Sequence, residues 1–192
     1  MYKDILISGK KCYLSPIEPN DIGKYREWLG KKDLSMNLKL FNSVSVLGHG
    51  RYNYAVIDIE TKELIGNGGF ISFNDNEGEV AIYFKNKDFY ENDYGIEALN
   101  LLLDYTFKTF NLNHILIRVY GHNIQTINYY ENIGFTEDKE RRLILQFRFK
   151  IKILRLLPIK FKQYYILYYD ITKKDFYKEY TVNNNGVQGN CT

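Results

Sequence analysis

The chain has 192 residues and a mass of 22.8 kDa, a length at which one domain buries about 70% of the surface of the extended chain. Hydrophobic residues make up 45% and charged residues 26%, which matches a globular protein and excludes a chain without a packed core. No apolar run reaches the roughly 18 residues of a membrane helix, and residues 1–11 lack the features of a signal peptide. We therefore expect one domain over residues 1–180, a cytoplasmic location and no membrane partner.

Charge and cysteine content narrow the function classes further. The formal net charge of +3 is too small to indicate nucleic-acid binding by itself. Eight basic residues and no acidic one lie between residues 141 and 162, which fits either an anionic partner or a strand whose alternate side chains face solvent. Cys12 and Cys191 are the only cysteines, so neither a disulfide framework nor a cysteine-based metal site is available.

Strand and helix signals alternate along the chain. Strands are expected at residues 11–15, 51–59, 64–73, 79–84, 114–120, 141–151 and 164–171, and helices at residues 21–29, 33–41, 94–110 and 124–132. Residues 42–50 form an expected loop, and Gly134 is the stop signal of the last helix. Short polar connectors predict antiparallel hairpins between residues 51 and 84, and the helix at 94–110 requires a parallel crossover. The prediction is an α/β fold with a mixed, strongly twisted sheet of about seven strands, helices on both faces and a disordered tail at residues 181–192.

Most standard catalytic motifs are absent from the sequence. There is no GxxxxGK[ST] loop, no GxSxG elbow, no HExxH and no CxxC. The histidines, His49, His114 and His122, lie far apart in the sequence. A nucleophilic triad and a metal site are therefore not predicted.

One stretch of the chain instead carries an ordered set of motifs. It contains EVAIYF at residues 79–84, YGIEAL at 94–99, ILIRVY at 115–120 and, as the most specific part, the pattern N-x-x-T-I-x-x-Y-E-x-x-G-F at 123–135. Over about residues 10–172 the chain resembles the GNAT superfamily of N-acetyltransferases, in the branch with the ribosomal-protein-alanine and polyamine acetyltransferases. The resemblance implies a cytoplasmic transferase with acetyl-CoA as cosubstrate.

The resemblance also implies chemical roles for three side chains. Asn123 would hydrogen-bond the pantetheine arm, Tyr130 would protonate the departing sulfur, and Glu79 would accept the proton of the amine as general base. Each has a structural alternative. In the alternative, Asn123 is only a helix N-cap, Tyr130 is only a packed aromatic ring, and Glu79 is only a solvated residue at the end of a strand.

The remaining implied coenzyme contacts involve a strand edge and a loop. They are the main chain of Ile82, Tyr83 and Phe84, beside which the pantetheine arm lies as another strand would, and the pyrophosphate loop of Tyr90, Glu91, Asn92, Asp93, Tyr94 and Gly95. In the family this loop reads Arg/Gln-x-x-Gly-x-Gly/Ala, and of this pattern the chain keeps only Gly95. Glu91 and Asp93 place negative charges where phosphates bind, at a cost of roughly 3-fold to 100-fold in affinity for each unit charge. Asp93 could cap the helix, and Lys85, Lys87 or Lys108 could offset the charge.

Because the loop at residues 90–95 departs from the family pattern, two functions remain open. In the first, the protein transfers an acetyl group from acetyl-CoA to a primary amine of a small molecule, a nucleotide-sugar amine or a protein N-terminus, by direct attack. In the second, it is a catalytically degenerate binding module that associates with RNA or protein. The basic segment at residues 141–162 predicts an anionic acceptor and would repel a polyamine. Nucleic acid is not the expected partner, and the sequence leaves open whether the chain forms a homodimer.

Overall fold

The computed structural model describes residues 4–18, 21, 23–24, 27–28, 52–86, 88–148 and 161–185. The helix expected at residues 33–41 and the loop expected at 42–50 lie outside these residues, as do residues 149–151 at the end of an expected strand. Within the described part of the chain, no helix is long and apolar enough to cross a membrane.

The strands of the described residues form one eight-stranded sheet in the order β1-β2-β3-β4-β5-β6-β8-β7. They are β1 (Ile7–Ser8), β2 (Cys12–Pro16), β3 (Asn53–Asp58), β4 (Leu64–Phe73), β5 (Glu77–Phe84), β6 (His114–Tyr120), β7 (Thr136–Arg148) and β8 (Phe161–Thr172). All neighbouring strands are antiparallel except β5 and β6, which are parallel. The α/β fold with a mixed sheet is confirmed, and the strand that the sequence did not indicate is the two-residue β1.

The helices that are continuous within the described residues are α1 (Asp88–Glu91), α2 (Asp93–Phe110), α3 (Ile124–Ile133) and α4 (Lys173–Asn185). Residues 21, 23–24 and 27–28 are also helical, as expected for 21–29. Helix α2 supplies the crossover between β5 and β6. Its C-cap is Asn111 and that of α3 is Gly134, both in the left-handed conformation that closes helices.

Side chains on the two faces of the sheet enter two separate apolar clusters. On β3, Tyr54 and Val56 belong to the larger cluster, whereas Ala55 and Ile57 belong to the smaller one, as the two-residue period of a strand requires. Helices α2, α3 and α4 all contribute to the larger cluster. The helical residue Trp28 packs against the smaller cluster, so helices cover both faces as predicted.

Helix α4 corrects the expectation of a disordered tail at residues 181–192. Residues 181–185 are the last residues of this helix, and 186–192 lie outside the described part. The helix escaped prediction because its polar sequence has a weak apolar stripe. It is anchored by Phe176, whose ring centroid lies 5.6 Å from that of Phe107, and by Tyr177, whose hydroxyl donates to Asp104 at 2.9 Å.

Three strands begin earlier than the sequence indicated. β5 starts at Glu77 rather than at residue 79, β7 at Thr136 rather than at residue 141, and β8 at Phe161 rather than at residue 164. Residues 137–142 of β7 are all charged, so they show no apolar alternation. The pairing register with β8 also shifts between Asp138 and Arg142, which interrupts the two-residue period on which strand prediction depends.

β5 and β6 pair only over their first residues. The parallel ladder joins Glu77 to His114, Gly78 to Ile115 and Glu79 to Leu116. Beyond these three pairs, β5 follows β4 to Phe84 and β6 follows β8 to Tyr120. The two strands therefore fork after Glu79.

A β-bulge in β4 lies next to the point of separation. Phe70 pairs with Val80 and Ser72 with Glu79, so Ile71 has no residue opposite it. An extra residue bends a strand pair and increases its twist. The bulge thus changes the direction of the β4–β5 pair at the residue where β5 leaves β6.

Gly134 holds the end of helix α3, and its replacement by alanine tests this role. Its φ is +103°, a backbone conformation that residues with a Cβ rarely adopt. An added Cβ would have enough room, since its nearest atoms would be Glu179 Cγ at 3.4 Å and Ile171 Cδ1 at 3.7 Å. Because the space is sufficient, the cost comes from the backbone. We expect Gly134→Ala to lower the free energy of unfolding by about 1–2 kcal/mol in urea denaturation.

The matched control is Gly23→Ala. Gly23 is helical, and an added Cβ would meet no atom within 4 Å. Its replacement should leave stability unchanged or raise it by about 0.5–1 kcal/mol. Equal effects of the two substitutions would contradict the assignment of Gly134 as a conformationally required glycine.

Candidate active site

The fork between β5 and β6 opens a cleft of ≈ 780 Å³. Its walls come from both strands, from helix α3 and from the start of α2. The residues that line it include Val80, Ala81, Ile82, Tyr83, Asn92, Asp93, Ile96, Arg118, Val119, Tyr120, Asn123 and Tyr130. Alternate main-chain N–H and C=O groups of a strand point to opposite edges. The edge of β5 that faces the cleft therefore lies outside the ladder with β6 from Val80 onwards.

Tyr130 lies in the wall of this cleft. Ile127, Tyr130 and Ile133 are the buried residues of α3 and recur at every third position, which places them on one helix face. Only 7% of Tyr130 is exposed. Its ring centroid lies 5.3 Å from that of Tyr129 and 5.7 Å from that of Phe135. Tyr130 is thus a packed ring and also a residue of the cleft, so the two roles foreseen for it are compatible.

Asn123 lies at the cleft and caps helix α3. Its side-chain oxygen accepts a hydrogen bond from the backbone N–H of Thr126 at 3.3 Å. The cap engages the carboxamide oxygen, and the NH₂ group of the same side chain is a donor. One residue can therefore both begin the helix and offer a hydrogen bond to a ligand in the cleft.

Glu79 is the last residue of β5 that pairs with β6, and its carboxylate forms an ion pair with Arg118. The Glu79 side chain is 11% exposed. Burial raises the pKa of Glu79, while the charge and the hydrogen bond of Arg118 lower it, and the raised direction prevails. Such a carboxylate binds a proton more readily than a solvated one, which suits a general base.

Glu79 also borders a second cavity of ≈ 460 Å³. This cavity is lined by Ser72, Phe73, Asn74, Glu77, Glu79, Leu116, Arg141 and Tyr168. Val80 and Ile82 of β5 belong to the larger apolar cluster, with Tyr130. Because alternate residues of a strand face opposite sides, Glu79 lies on the other side of the sheet. Tyr130, the expected acid, and Glu79, the expected base, thus lie at the fork on opposite faces of the sheet.

Asn92, and not Asp93, caps helix α2. The Asn92 side-chain oxygen accepts from the backbone N–H of Tyr94 at 3.0 Å, and Asp93 is the first residue of the helix. The expected use of Asp93 as the cap is therefore wrong. Asparagine accepts through its side chain as readily as aspartate does, so a neutral group closes this helix end.

The charge of Asp93 is balanced by a residue that the sequence did not indicate. Lys11 Nζ lies 2.6 Å from Asp93 Oδ2, and this contact lowers the pKa of Asp93. Lys85 pairs with Glu63 and Lys108 with Asp104, each at 2.8 Å. These two lysines therefore do not serve the loop as expected, and Lys87 lies outside the described residues.

The rest of the loop is held from the neighbouring strands. A hydrogen bond to Asp58, on β3, raises the pKa of Tyr94 to about 12. Gly95 is buried in the first turn of α2. Tyr90 and Glu91 belong to α1, and their side chains are not among the described ones. The expected loop at 90–95 is thus the junction of α1 and α2, with Asn92 as the residue between the two helices.

Two residues of the site were missed by sequence reasoning. Arg118 lies in the run ILIRVY, where a charge within an apolar strand signals the need for a buried partner. That signal was available. Lys11 is 82 positions from Asp93, and no local pattern connects the two. Among the described residues, no group of three or more His, Cys, Asp or Glu side chains could hold a metal ion.

Comparison with known proteins places this geometry in a family. A family model described as "Acetyltransferase (GNAT) domain" matches residues 12–136. An N-acetyltransferase of Bacillus licheniformis, p20, itself described as uncharacterized, is 28% identical over 102 residues, which are 53% of this chain and 57% of that protein. The matched segment thus spans little more than half of that relative.

Solved structures share the fold at low identity. A GNAT-family acetyltransferase from Bacillus anthracis aligns with a TM-score of 0.62 at 20% identity, over 88% of this chain and 98% of the other. A spermidine N-acetyltransferase from Vibrio cholerae in complex with CoA and spermine aligns with a TM-score of 0.64 at 19% identity, over 87% and 98% of the two chains. Since the family model covers well over half of the sequence, the chain belongs to the GNAT family of acetyltransferases.

Proposed function

We propose that the protein transfers an acetyl group from acetyl-CoA to a primary amine by direct attack of the amine. The observation that carries the proposal is the fork between β5 and β6, with Tyr130 at one face and Glu79 at the other. When bound, acetyl-CoA supplies the activated acetyl thioester. The residues of the chain bind it, orient the two reactants and move the protons.

The coenzyme would lie in the ≈ 780 Å³ cleft. The main chain of Ile82, Tyr83 and Phe84 would pair with the pantetheine arm as a further strand would, and the Asn123 NH₂ group would donate to it. The N-terminus of α2 faces the cleft through Asn92 and Asp93, where helix amides favour phosphate. The Lys11–Asp93 ion pair removes most of the repulsion that Asp93 would exert there.

Two proton transfers would accompany the reaction. The acceptor arrives as an ammonium ion and must lose a proton before its lone pair can attack, and Glu79 would take that proton. The departing sulfur would receive a proton from the Tyr130 hydroxyl, and the second proton that the nitrogen loses as the amide forms would restore the phenol. Because Glu79 and Tyr130 lie on opposite faces of the sheet, the two proton transfers take place at separate positions, and Tyr130 does not give its proton to Glu79.

Direct attack is favoured over a cysteine-bound acyl group. Cys12 is buried on β2, and burial together with the nearby Glu97 carboxylate raises the pKa of its thiol. A protonated, buried thiol is a poor nucleophile. Cys191 lies outside the described residues.

The acceptor would enter through the ≈ 460 Å³ cavity beside Glu79. Within it, the Arg141 guanidinium donates to both carboxylate oxygens of Glu77, at 3.0 and 2.9 Å, so these two charges offset each other. Arg141 is the first residue of the basic segment at 141–162, and the structure does not describe residues 149–160. The anionic acceptor therefore stays a prediction based on the sequence of that segment.

Calorimetry with acetyl-CoA, followed by turnover assays with an amine panel, tests the proposed function. We expect saturable binding and amine-dependent release of the free thiol. Anionic amines should react faster than spermidine, and a preference for spermidine would contradict the anionic acceptor alone. A protein that gives neither heat nor a thermal shift at millimolar acetyl-CoA would be the binding module instead.

Replacement of Tyr130 by phenylalanine removes only the hydroxyl group of the proposed acid. We expect kcat to fall by about 100-fold or more, with unchanged affinity for acetyl-CoA in calorimetry. The control is Tyr177→Phe, which removes a hydroxyl bound to Asp104 away from both cavities. It should cost about 1 kcal/mol of stability and leave turnover intact. If Tyr130→Phe keeps turnover within about twofold of the wild type, the residue is a packed ring only.

The Lys11–Asp93 pair predicts a charge effect on coenzyme affinity. Because the Asp93 side chain is 80% exposed, solvent screens it, and we expect Lys11→Met to weaken acetyl-CoA binding by about 3-fold. Asp93→Asn leaves the Lys11 charge unpaired and should tighten binding, and the double variant, which like the wild type has no net charge here, should resemble the wild type. Calorimetry at low salt measures the three dissociation constants. Identical constants in all variants would show that this end of α2 does not meet the phosphates.

A further inference from the structure

The Glu79–Arg118 ion pair spans the point at which β5 and β6 separate. Glu79 pairs with Leu116 in the last rung of the ladder. Arg118 lies two residues further along β6, on the same face of the strand as Leu116. The ion pair is therefore a side-chain link directly beyond the last backbone pair. Arg118 lines the ≈ 780 Å³ cleft and Glu79 lines the ≈ 460 Å³ cavity, so the link stands between the two spaces.

Arg118 is held from a second side by β8. Its guanidinium carbon lies 6.0 Å from the centroid of the Tyr168 ring, at which a cation is attracted to the face of the ring. Tyr168 in turn lines the cavity that contains Glu79. The guanidinium is thus positioned between a carboxylate of β5 and an aromatic ring of β8, which restricts its orientation.

The other ionisable groups around Glu79 leave Arg118 as its counter-charge. On β5, Tyr83 carries a phenol whose pKa is raised by burial, so that group is neutral. Glu77, also on β5, is paired with Arg141 of β7. Tyr168 faces the cavity from β8, and Ser72 and Asn74, which face it from the β4 side, are uncharged. Among the described residues, the cation in contact with Glu79 is therefore Arg118.

We propose that Arg118 is a positioning residue for acetyl transfer, one that holds Glu79 ionised and oriented at the boundary between the two cavities. This inference rests on the proposed function. A buried carboxylate without a counter-charge binds a proton in the resting protein, and it then cannot accept the proton of the acceptor. With Arg118 in place, one N–H bond of the ammonium breaks, an O–H bond forms on Glu79, and the electron pair stays on nitrogen for the attack.

The pH dependence of kcat/KM for the amine tests this role through Arg118→Met. Glu79 acts only when ionised, so activity falls as the pH drops through its pKa. Loss of Arg118 removes an influence that lowers this pKa, and we expect the acidic limb to move to higher pH by about 1–3 units. Arg118→Lys, which keeps the charge, should restore most of the shift. Lys85→Met, which breaks the surface pair with Glu63, should leave the profile unchanged.

A titration of the Glu79 carboxyl carbon by ¹³C NMR, without ligand, gives a second readout that does not depend on turnover. Its pKa should rise in Arg118→Met and return towards the wild-type value in Arg118→Lys. If the wild type turns over but Arg118→Met shifts neither the acidic limb nor the titration of Glu79, only the role of Arg118 would be overturned. An unshifted limb together with a raised KM for acetyl-CoA would make Arg118 a coenzyme contact instead. A wild type without turnover would overturn the proposed function and this role with it.

Discussion

The three-residue ladder between β5 and β6 is the constraint on which the rest of the site depends. Each strand keeps its outer neighbour, β4 for β5 and β8 for β6, while the inner pairing ends at Glu79 and Leu116. The bulge at Ile71 lies at the same level of the sheet. Strand edges normally expose main-chain groups to unwanted pairing. Here the edge lies within the sheet and borders a cleft that is walled by α3 and by the start of α2.

The charges around the fork are balanced in pairs that join distant segments. Lys11, directly before β2, meets Asp93 of α2, Arg118 of β6 meets Glu79 of β5, and Arg141 of β7 meets Glu77 of β5. Paired charges at exposed positions contribute little stability, so Lys11–Asp93 matters mainly for the potential at the end of α2. At the more buried Glu79, burial raises the pKa of the carboxylate, and the charge and hydrogen bond of Arg118 oppose this effect. The three ion pairs therefore connect distant segments of the chain and balance the charges around both cavities.

Most of the architecture was predictable because its signals are local. The apolar periodicity gave β4, β6 and α2 with nearly correct bounds, and the pattern at residues 123–135 located α3 and its end at Gly134. Helix α4 and the start of β7 were missed since their sequences are polar and lack a clear period. The Lys11–Asp93 pair depends on how α2 packs beside the start of β2, and the bulge at Ile71 depends on strand register; a single sequence specifies neither. The choice of Asn92 over Asp93 as the cap of α2 depends on one residue of backbone placement.

The central claim is that the edge of β5 beyond its ladder with β6 binds the arm of acetyl-CoA. Amide hydrogen exchange measured by NMR, residue by residue over 80–84 with and without acetyl-CoA, tests it most directly. The account predicts that amides of β5 on the β6 side exchange quickly in the free protein and are protected when the coenzyme binds, while amides bonded to β4 change little. Binding of acetyl-CoA that leaves exchange in β5 unaltered would contradict it.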